Sequence, residues 1–169
     1  NYVWAYARQA MRVLYSHEGK ENSGSDNMTY ATALRIAAIA LDEAGRTKEA
    51  ADTLRHALAI IERHRGRQSS SYAFAQASLA RMLIYDEQCN QAATIYGEAM
   101  GTLQQLVLRD FATRSPAERR ATWNKVSNEF TTHFPNNMFL CSRALNDGRF
   151  VGHLYDYSAL FAKGLMLAT

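Results

Sequence analysis

Apolar residues recur at every third or fourth position along most of this chain, with polar residues between them. This spacing matches one face of a helix rather than the alternation of a strand. Residues that break helices are sparse, with two Pro and nine Gly among 169 residues. No run of alternating β-branched residues interrupts the pattern, so the sequence predicts an all-α protein.

Two stretches of the chain, 34–60 and 76–102, align with each other without a gap at an offset of 42 residues. An earlier segment, 6–20, matches 54–67, the end of the first of these units. A helical hairpin cannot bury its apolar face alone, so a repeat of this length predicts hairpins stacked in a row. The aligned pairs are Ala38 and Ala80, Leu41 and Leu83, Ala50 and Ala92, Leu54 and Tyr96, and Ala57 and Ala99.

Each hairpin is predicted to turn within a short polar stretch, 42–47 in the first unit and 86–90 in the second. Gly45 suits the left-handed backbone position after a helix, and Thr47 or Asn90 is placed to cap the helix that follows. The paired alanines would let the two helices of a hairpin approach closely, because larger side chains there would overpack the interface.

These positions resemble the tetratricopeptide repeat (TPR). That family has small residues where this chain has Ala38 and Ala50, Gly where it has Gly45, and Ala where it has Ala57. The second unit keeps the three alanines but has Glu87 in place of the glycine. The 42-residue period is longer than the usual TPR period and looks like the long-helix variety of kinesin light chains.

The resemblance implies a right-handed superhelix of antiparallel helical hairpins over 1–110, with a concave face that binds a peptide or protein partner. Two arginines among apolar and aromatic residues would suit a peptide that carries acidic groups. Carboxylate-clamp TPRs put Lys and Asn at such places, so binding of chaperone tails is not implied. The alternatives are that this face is merely solvated or is covered by the chain's own joining helices. The residues of this candidate face are Thr32, Arg35, Ile39, Asp42, Phe74, Arg81, Ile84 and Tyr85.

After residue 110 the repeat stops and the pattern predicts capping or linker helices. Ser115, Pro116 and Glu118 form a helix start, with the serine as cap, proline at the first helical position and glutamate completing a capping box. We expect that helix to end at Pro135, which breaks it. A short helix over 136–145, a turn at 146–148 and a final helix from 149 are predicted to follow.

The region 111–169 resembles the segment that joins TPRs to a C-terminal CHAT domain, a caspase-like peptidase module. One mark of that family looks like Phe111, Ser115, Glu118, Arg119 and Trp123, although Thr122 stands where the family often has Tyr. The other mark looks like Tyr155, Asp156 and Leu160 followed by 163–167. The resemblance implies a chain that stops at the border of a missing peptidase domain. Contact with that domain is expected from Trp123, Tyr155, Leu160, Lys163, Gly164 and Met166.

The chain begins and ends inside helical patterns, so we expect it to be a fragment of a longer protein. Its last residues carry an apolar stripe, which includes Leu160, Phe161 and Leu165. An exposed stripe of this kind predicts that the truncated fragment forms a dimer.

No catalytic, cofactor or metal site is expected in the chain. The five histidines lack a ligand spacing, and Cys89 and Cys141 form no motif, so neither a disulfide framework nor a zinc site is predicted. The net charge is +3, with 15 Arg and four Lys, and is interpreted as solvated helix faces. No stretch is long and apolar enough to predict a membrane span.

Three functions are compatible with these patterns. The first is a non-catalytic scaffold, the regulatory or sensing TPR region of a CHAT-domain peptidase, whose partners are a peptide or protein and its own missing domain. The second is a free-standing TPR adaptor that binds a peptide. The third, placed last, is a helical array that binds nucleic acid through its arginines. The compartment stays open, with the cytoplasm favoured.

Overall fold

The computed structural model describes residues 28–154, with side chains through Gly152. Helices account for 88% of this part, which contains no strand, so the all-α prediction is confirmed. The first predicted helical segment, 6–20, lies outside the described residues. So do five of the expected interdomain contacts, which are Tyr155, Leu160, Lys163, Gly164 and Met166.

The described residues form seven α-helices and one π-helical segment in the following order. They are α1 (Met28–Glu43), α2 (Thr47–Arg65), α3 (Ser70–Tyr85), α4 (Cys89–Thr113), α5 (Pro116–Asn128), the π segment (Glu129–His133), α6 (Phe134–Leu145) and α7 (Arg149–Leu154).

The helices pair as two hairpins, α1 with α2 and α3 with α4, and α2 packs against α3 between them. Small residues line the interface of each hairpin, as the repeat predicted: Ala38, Ala50, Ala80 and Ala92 are completely buried. Each alanine buries little area, so the close approach of the helices is what excludes water there. Larger side chains, among them Leu54, fill the space between.

The turns of the two hairpins contain the same backbone hydrogen bond at equivalent positions. In the first, the backbone N–H of Arg46 donates to the Leu41 carbonyl at 2.9 Å. In the second, the N–H of Gln88 donates to the Leu83 carbonyl at 2.8 Å. Gly45 has a φ of 75° and Glu87, at the equivalent position, a φ of 61°. The offset of 42 residues therefore extends from the sequence to the backbone.

The predicted helix caps at Thr47 and Asn90 are wrong. The capping positions are held by Arg46 and Gln88, and neither side chain makes a capping hydrogen bond. Both turns are short. The helix after the first turn begins at Thr47 itself, and the helix after the second begins at Cys89, one residue before Asn90. The Thr47 hydroxyl donates instead to Asp42 Oδ1 at 3.1 Å.

The capping box at the start of α5 is confirmed. The backbone N–H of Ser115 donates to Glu118 Oε2 at 3.0 Å, and its hydroxyl donates to the same oxygen at 2.7 Å. Pro116 follows at the first helical position, where its missing N–H costs nothing. These bonds lower the pKa of the Glu118 carboxyl, with the Ser115 side chain as the largest cause.

Pro135 does not break the helix as predicted. The backbone stays helical from Pro116 to Leu145, because the π segment precedes the proline and α6 continues through it. The N–H of Phe134 donates to the Glu129 carbonyl, a wider turn than that of an α-helix. The wider turn makes room for the Pro135 ring, which in a regular α-helix would clash with the carbonyl group four residues earlier.

A disulfide joins Cys89, the first residue of α4, to Cys141 in α6, with the two Cα atoms 5.4 Å apart. The expectation that no disulfide is present is therefore wrong. The two residues are 52 positions apart and are brought together only when the joining helices fold onto the second hairpin. Both are buried, as expected of cysteines in apolar helices.

The joining helices share one core with the second hairpin. Phe130, Phe134 and Met138 are fully buried, and the rings of Phe134 and Tyr96 lie 5.1 Å apart. This packing brings the π segment and α6 against α3 and α4, and α3 carries half of the candidate face.

Candidate functional site: a binding face on α1 and α3

The residues of the candidate face differ widely in exposure. Thr32, Ile39 and Tyr85 are exposed, with Ile39 42% and Tyr85 63% accessible. Ile84 is buried. The remaining four residues, Arg35, Asp42, Phe74 and Arg81, are half-buried.

Arg81 is bound by the chain itself. Its Nη1 lies 3.4 Å from Glu129 Oε1, and its Nη2 donates to the Ser78 hydroxyl at 3.2 Å. Glu129 belongs to the π segment, so a joining helix supplies the carboxylate that neutralises this arginine. At Arg81, therefore, a joining helix of the same chain contacts the candidate face.

Glu129 also binds Tyr96. The Tyr96 hydroxyl donates to Glu129 Oε2 at 2.8 Å, and both residues are buried. Burial raises the pKa of the Tyr96 hydroxyl well above its ordinary value, and the neighbouring carboxylate raises it further. The side chain of Asn137, buried in α6, lies near enough to the hydroxyl to act on its pKa in the opposite direction. We call Arg81, Glu129, Tyr96 and Asn137 the polar cluster.

Arg35 has no such partner. Its Nε is buried without a hydrogen-bond acceptor, and no carboxylate of the described residues forms an ion pair with it. Burial lowers the pKa of its guanidinium, and the like charge of Arg81 lowers it further. The two arginines of the candidate face are thus close enough to repel each other, but only one of them is neutralised.

Sequence reasoning missed three members of the polar cluster. The repeat aligns Tyr96 with Leu54 and indicates no polar contact for it, and no motif marks Glu129 or Asn137. Glu129 precedes the buried Phe130, and a regular helix would turn these two neighbours about 100° apart. The available signal is an acidic residue directly before Phe130 and six residues before Pro135.

Trp123, the one described residue among the expected interdomain contacts, is half-buried and stacks on Phe130 with ring centroids 5.9 Å apart. The guanidinium of Arg119 lies 6.0 Å from the centre of the Phe111 ring. With the Ser115–Glu118 capping box, these contacts give each residue of the first joining-region mark a partner inside the chain.

A concavity of about 800 Å³ lies beside α4, lined by none of the residues of the candidate face. Its lining is polar and apolar in about equal parts and includes Tyr72, Glu98 and Arg149, together with Gly97 and Gly101. The Gln76 amide donates to Glu98 Oε2 at 3.0 Å across its floor. Its lining residues within 28–152 include neither a cysteine nor a histidine.

Within residues 28–154, no three His, Cys, Asp or Glu side chains are grouped so that they could hold a metal ion. In the same part of the chain, no helix is both long and apolar enough to cross a membrane.

The chain matches no protein-family model, and no curated protein is significantly similar to it.

Proposed function

We propose that this chain is a non-catalytic scaffold that binds a peptide or protein partner on the candidate face of α1 and α3. The observation that carries the proposal is Arg35, a half-buried and unpaired cation beside the exposed Ile39. A desolvated charge without a partner is costly in a folded protein. Such a residue next to exposed apolar side chains is characteristic of a surface that is completed by a ligand.

We further propose that the hairpins form the right-handed superhelix of the TPR family. The matching turns, the buried alanine pairs and the packing of α2 on α3 support this arrangement. An experimental structure in which successive hairpins were related by a left-handed rotation would contradict it.

The proposed setting is the regulatory region of a CHAT-domain peptidase, with the missing domain as a second partner. Support comes from the joining-region marks and from the contact of Arg119 with Phe111. The test is the parent reading frame beyond Thr169, which should supply a His and a later Cys after strand-like runs. A parent reading frame that ends within a few residues of Thr169 would contradict this setting and favour a free-standing adaptor that binds a peptide.

Nucleic-acid binding is disfavoured by the way the arginines are paired. Within the described part of the chain, at least six arginines form ion pairs with carboxylates, which lowers the positive potential that phosphates would meet. They are Arg46, Arg55, Arg67, Arg81, Arg114 and Arg149.

Binding on the candidate face can be tested with the full chain and a displayed library of random 12-residue peptides. The matched control is the double variant Ile39→Glu, Tyr85→Glu, which alters two exposed side chains and leaves the core intact. We expect enriched peptides to bind the wild-type chain and to lose binding to the double variant. A library that yields no such peptide would contradict the proposed function.

The expected dimer of the fragment stays a prediction. Light scattering of the purified chain measures it directly, and a strict monomer at all concentrations would refute it.

A further inference from the structure

The charged residues on and against the candidate face are Arg35, Arg81, Asp42 and Glu129. Asp42 lies seven residues, about two helical turns, beyond Arg35, and its carboxylate accepts a hydrogen bond from Thr47. Glu129 lies on the Arg81 side, with its Oε1 3.4 Å from Arg81 Nη1. Tyr96 donates to the other oxygen of Glu129 at 2.8 Å, which fixes that carboxylate in place. Arg35 is therefore the cation of this face that no carboxylate of the described residues pairs with.

A purely structural arginine would be expected to have partners. Arg46, for example, donates its Nε to Glu49 Oε1 at 2.7 Å, and it is exposed, so it would lose little by remaining unpaired. Arg35 is more buried and has a buried Nε without any acceptor. Burial and the charge of Arg81 both act against its ionised form. Among the described residues, no carboxylate offsets the partial burial of this cation.

The surroundings of Arg35 define what could approach it. Ile39 lies one helical turn further along α1, and Tyr85 lies one turn beyond Arg81 on α3. Both side chains are exposed. A ligand that reaches Arg35 therefore meets apolar surface beside the charge.

We propose that Arg35 is the anchor for a single carboxylate, supplied by an acidic residue of a partner peptide whose apolar side chains rest on Ile39 and Tyr85. This inference rests on the proposed function and names the chemistry of its partner. A guanidinium matches a carboxylate in shape and pairs with it through charge-assisted hydrogen bonds. Arg81 does not take part, because Glu129 already neutralises it.

A carboxylate suits the site better than a phosphate group. One unpaired guanidinium balances one negative charge, whereas a phosphorylated side chain brings nearly two. The second charge would lie near Glu129, which is held in place by Tyr96 and Arg81. A phosphopeptide that bound more tightly than its glutamate counterpart would overturn this part of the proposal.

The role of Arg35 can be separated from a structural role by its effect on stability. Arg35→Met keeps the aliphatic stem and removes the unpaired charge. We expect it to raise the melting temperature of the free chain by about 2–4 °C, as removal of a modest electrostatic cost would in a chain of this size. The control Arg55→Met removes an exposed arginine that is paired with Asp52, so it should leave the melting temperature unchanged or slightly lower. A lower melting temperature for Arg35→Met would assign Arg35 a structural role and overturn the proposal.

Binding is measured with the displayed peptides that lose affinity for the Ile39→Glu, Tyr85→Glu variant. We expect these peptides to be enriched in Asp and Glu relative to the starting library. Each should bind Arg35→Met about 10- to 100-fold more weakly than wild type, and Arg55→Met equally well. Replacement of the enriched acidic residue by Gln or Asn should weaken binding to wild type and have no further effect on Arg35→Met.

The outcomes distinguish the two proposals. Peptides that bind the face without acidic enrichment, or that bind Arg35→Met as tightly as wild type, would overturn the role of Arg35 and leave the scaffold function standing. A library without any face-dependent binder would overturn both.

Discussion

Glu87 occupies the same left-handed backbone position as Gly45, 42 residues earlier, with φ angles of 61° and 75°. A glycine adopts this conformation at no steric cost, whereas a glutamate is strained there. The second hairpin thus keeps the turn of the first although its sequence has lost the residue that favours it.

Glu87→Gly should therefore stabilise the protein by about 1 kcal/mol, and Gly45→Glu should destabilise it by a similar amount. Nothing within 4 Å would meet a Cβ at Gly45, so backbone strain alone is tested. Urea unfolding of both variants measures the two changes. Glu87→Ala is the control, because it removes the side chain without relieving the left-handed strain. Equal stabilisation by Ala and Gly at this position would contradict the explanation.

The disulfide between Cys89 and Cys141 should contribute substantially to stability. Closing a loop of 52 residues reduces the freedom of the unfolded chain by about 4 kcal/mol in the chain-entropy model. Cys89→Ala, Cys141→Ala should show that loss in urea unfolding under oxidising conditions. The wild-type chain under reducing conditions should approach the stability of the variant, while the variant itself should not respond to reductant. A wild-type chain that is insensitive to reductant would show that the bond does not form.

The hydroxyl of Tyr96 should make stability depend on pH in the alkaline range. Its pKa is raised in the folded protein, chiefly by burial, so the folded state keeps the proton while the unfolded state releases it above about pH 10. The stability linked to this proton is fully present below that pH and is lost as pH rises above it, at up to about 1.4 kcal/mol per pH unit. Chemical unfolding between pH 8 and 11 measures the slope.

Tyr96→Phe provides the comparison for that measurement. It should be less stable at neutral pH by about 1–3 kcal/mol, because Glu129 loses a buried donor. The gap between wild type and variant should narrow above pH 10. A gap that stays constant to pH 11 would contradict the raised pKa of Tyr96.

The ion pair between Arg81 and Glu129 holds the joining helices against the second hairpin. Glu129→Gln leaves Arg81 half-buried without its counter-charge, so we expect a loss of about 1–3 kcal/mol in the free energy of unfolding. Arg81→Met should cost less in the Glu129→Gln background than in wild type, and a double-mutant cycle measures the coupling. Additive effects would show that the two charges do not interact.

Most of the fold was predictable from the sequence because it depends on local patterns. Apolar spacing gives the helices, and the alignment of Ala38 with Ala80 and of Ala50 with Ala92 gives the hairpins. The capping box of Ser115 and Glu118 was also found, since its two residues lie within one turn.

The remaining features depend on contacts between distant residues or on irregular backbone. Cys89 and Cys141 are paired by tertiary packing, which no spacing rule encodes. A proline such as Pro135 predicts the end of a regular α-helix. The π segment that allows the helix to continue past it has no recognisable pattern in the local sequence. Arg35 and Arg81 could be placed on one face, but only the structure distinguishes the paired arginine from the unpaired one.

The bond between Cys89 and Cys141 also determines how the molecule transmits tension. A pull applied at the two ends of the chain would pass directly from α4 to α6 through the sulfur atoms. The 52-residue stretch between the two cysteines has an extended length of about 190 Å, and it would bear no load until the disulfide was reduced. The second helix of the last hairpin and the joining helices would then behave as a closed ring, and only residues outside it would lengthen under load.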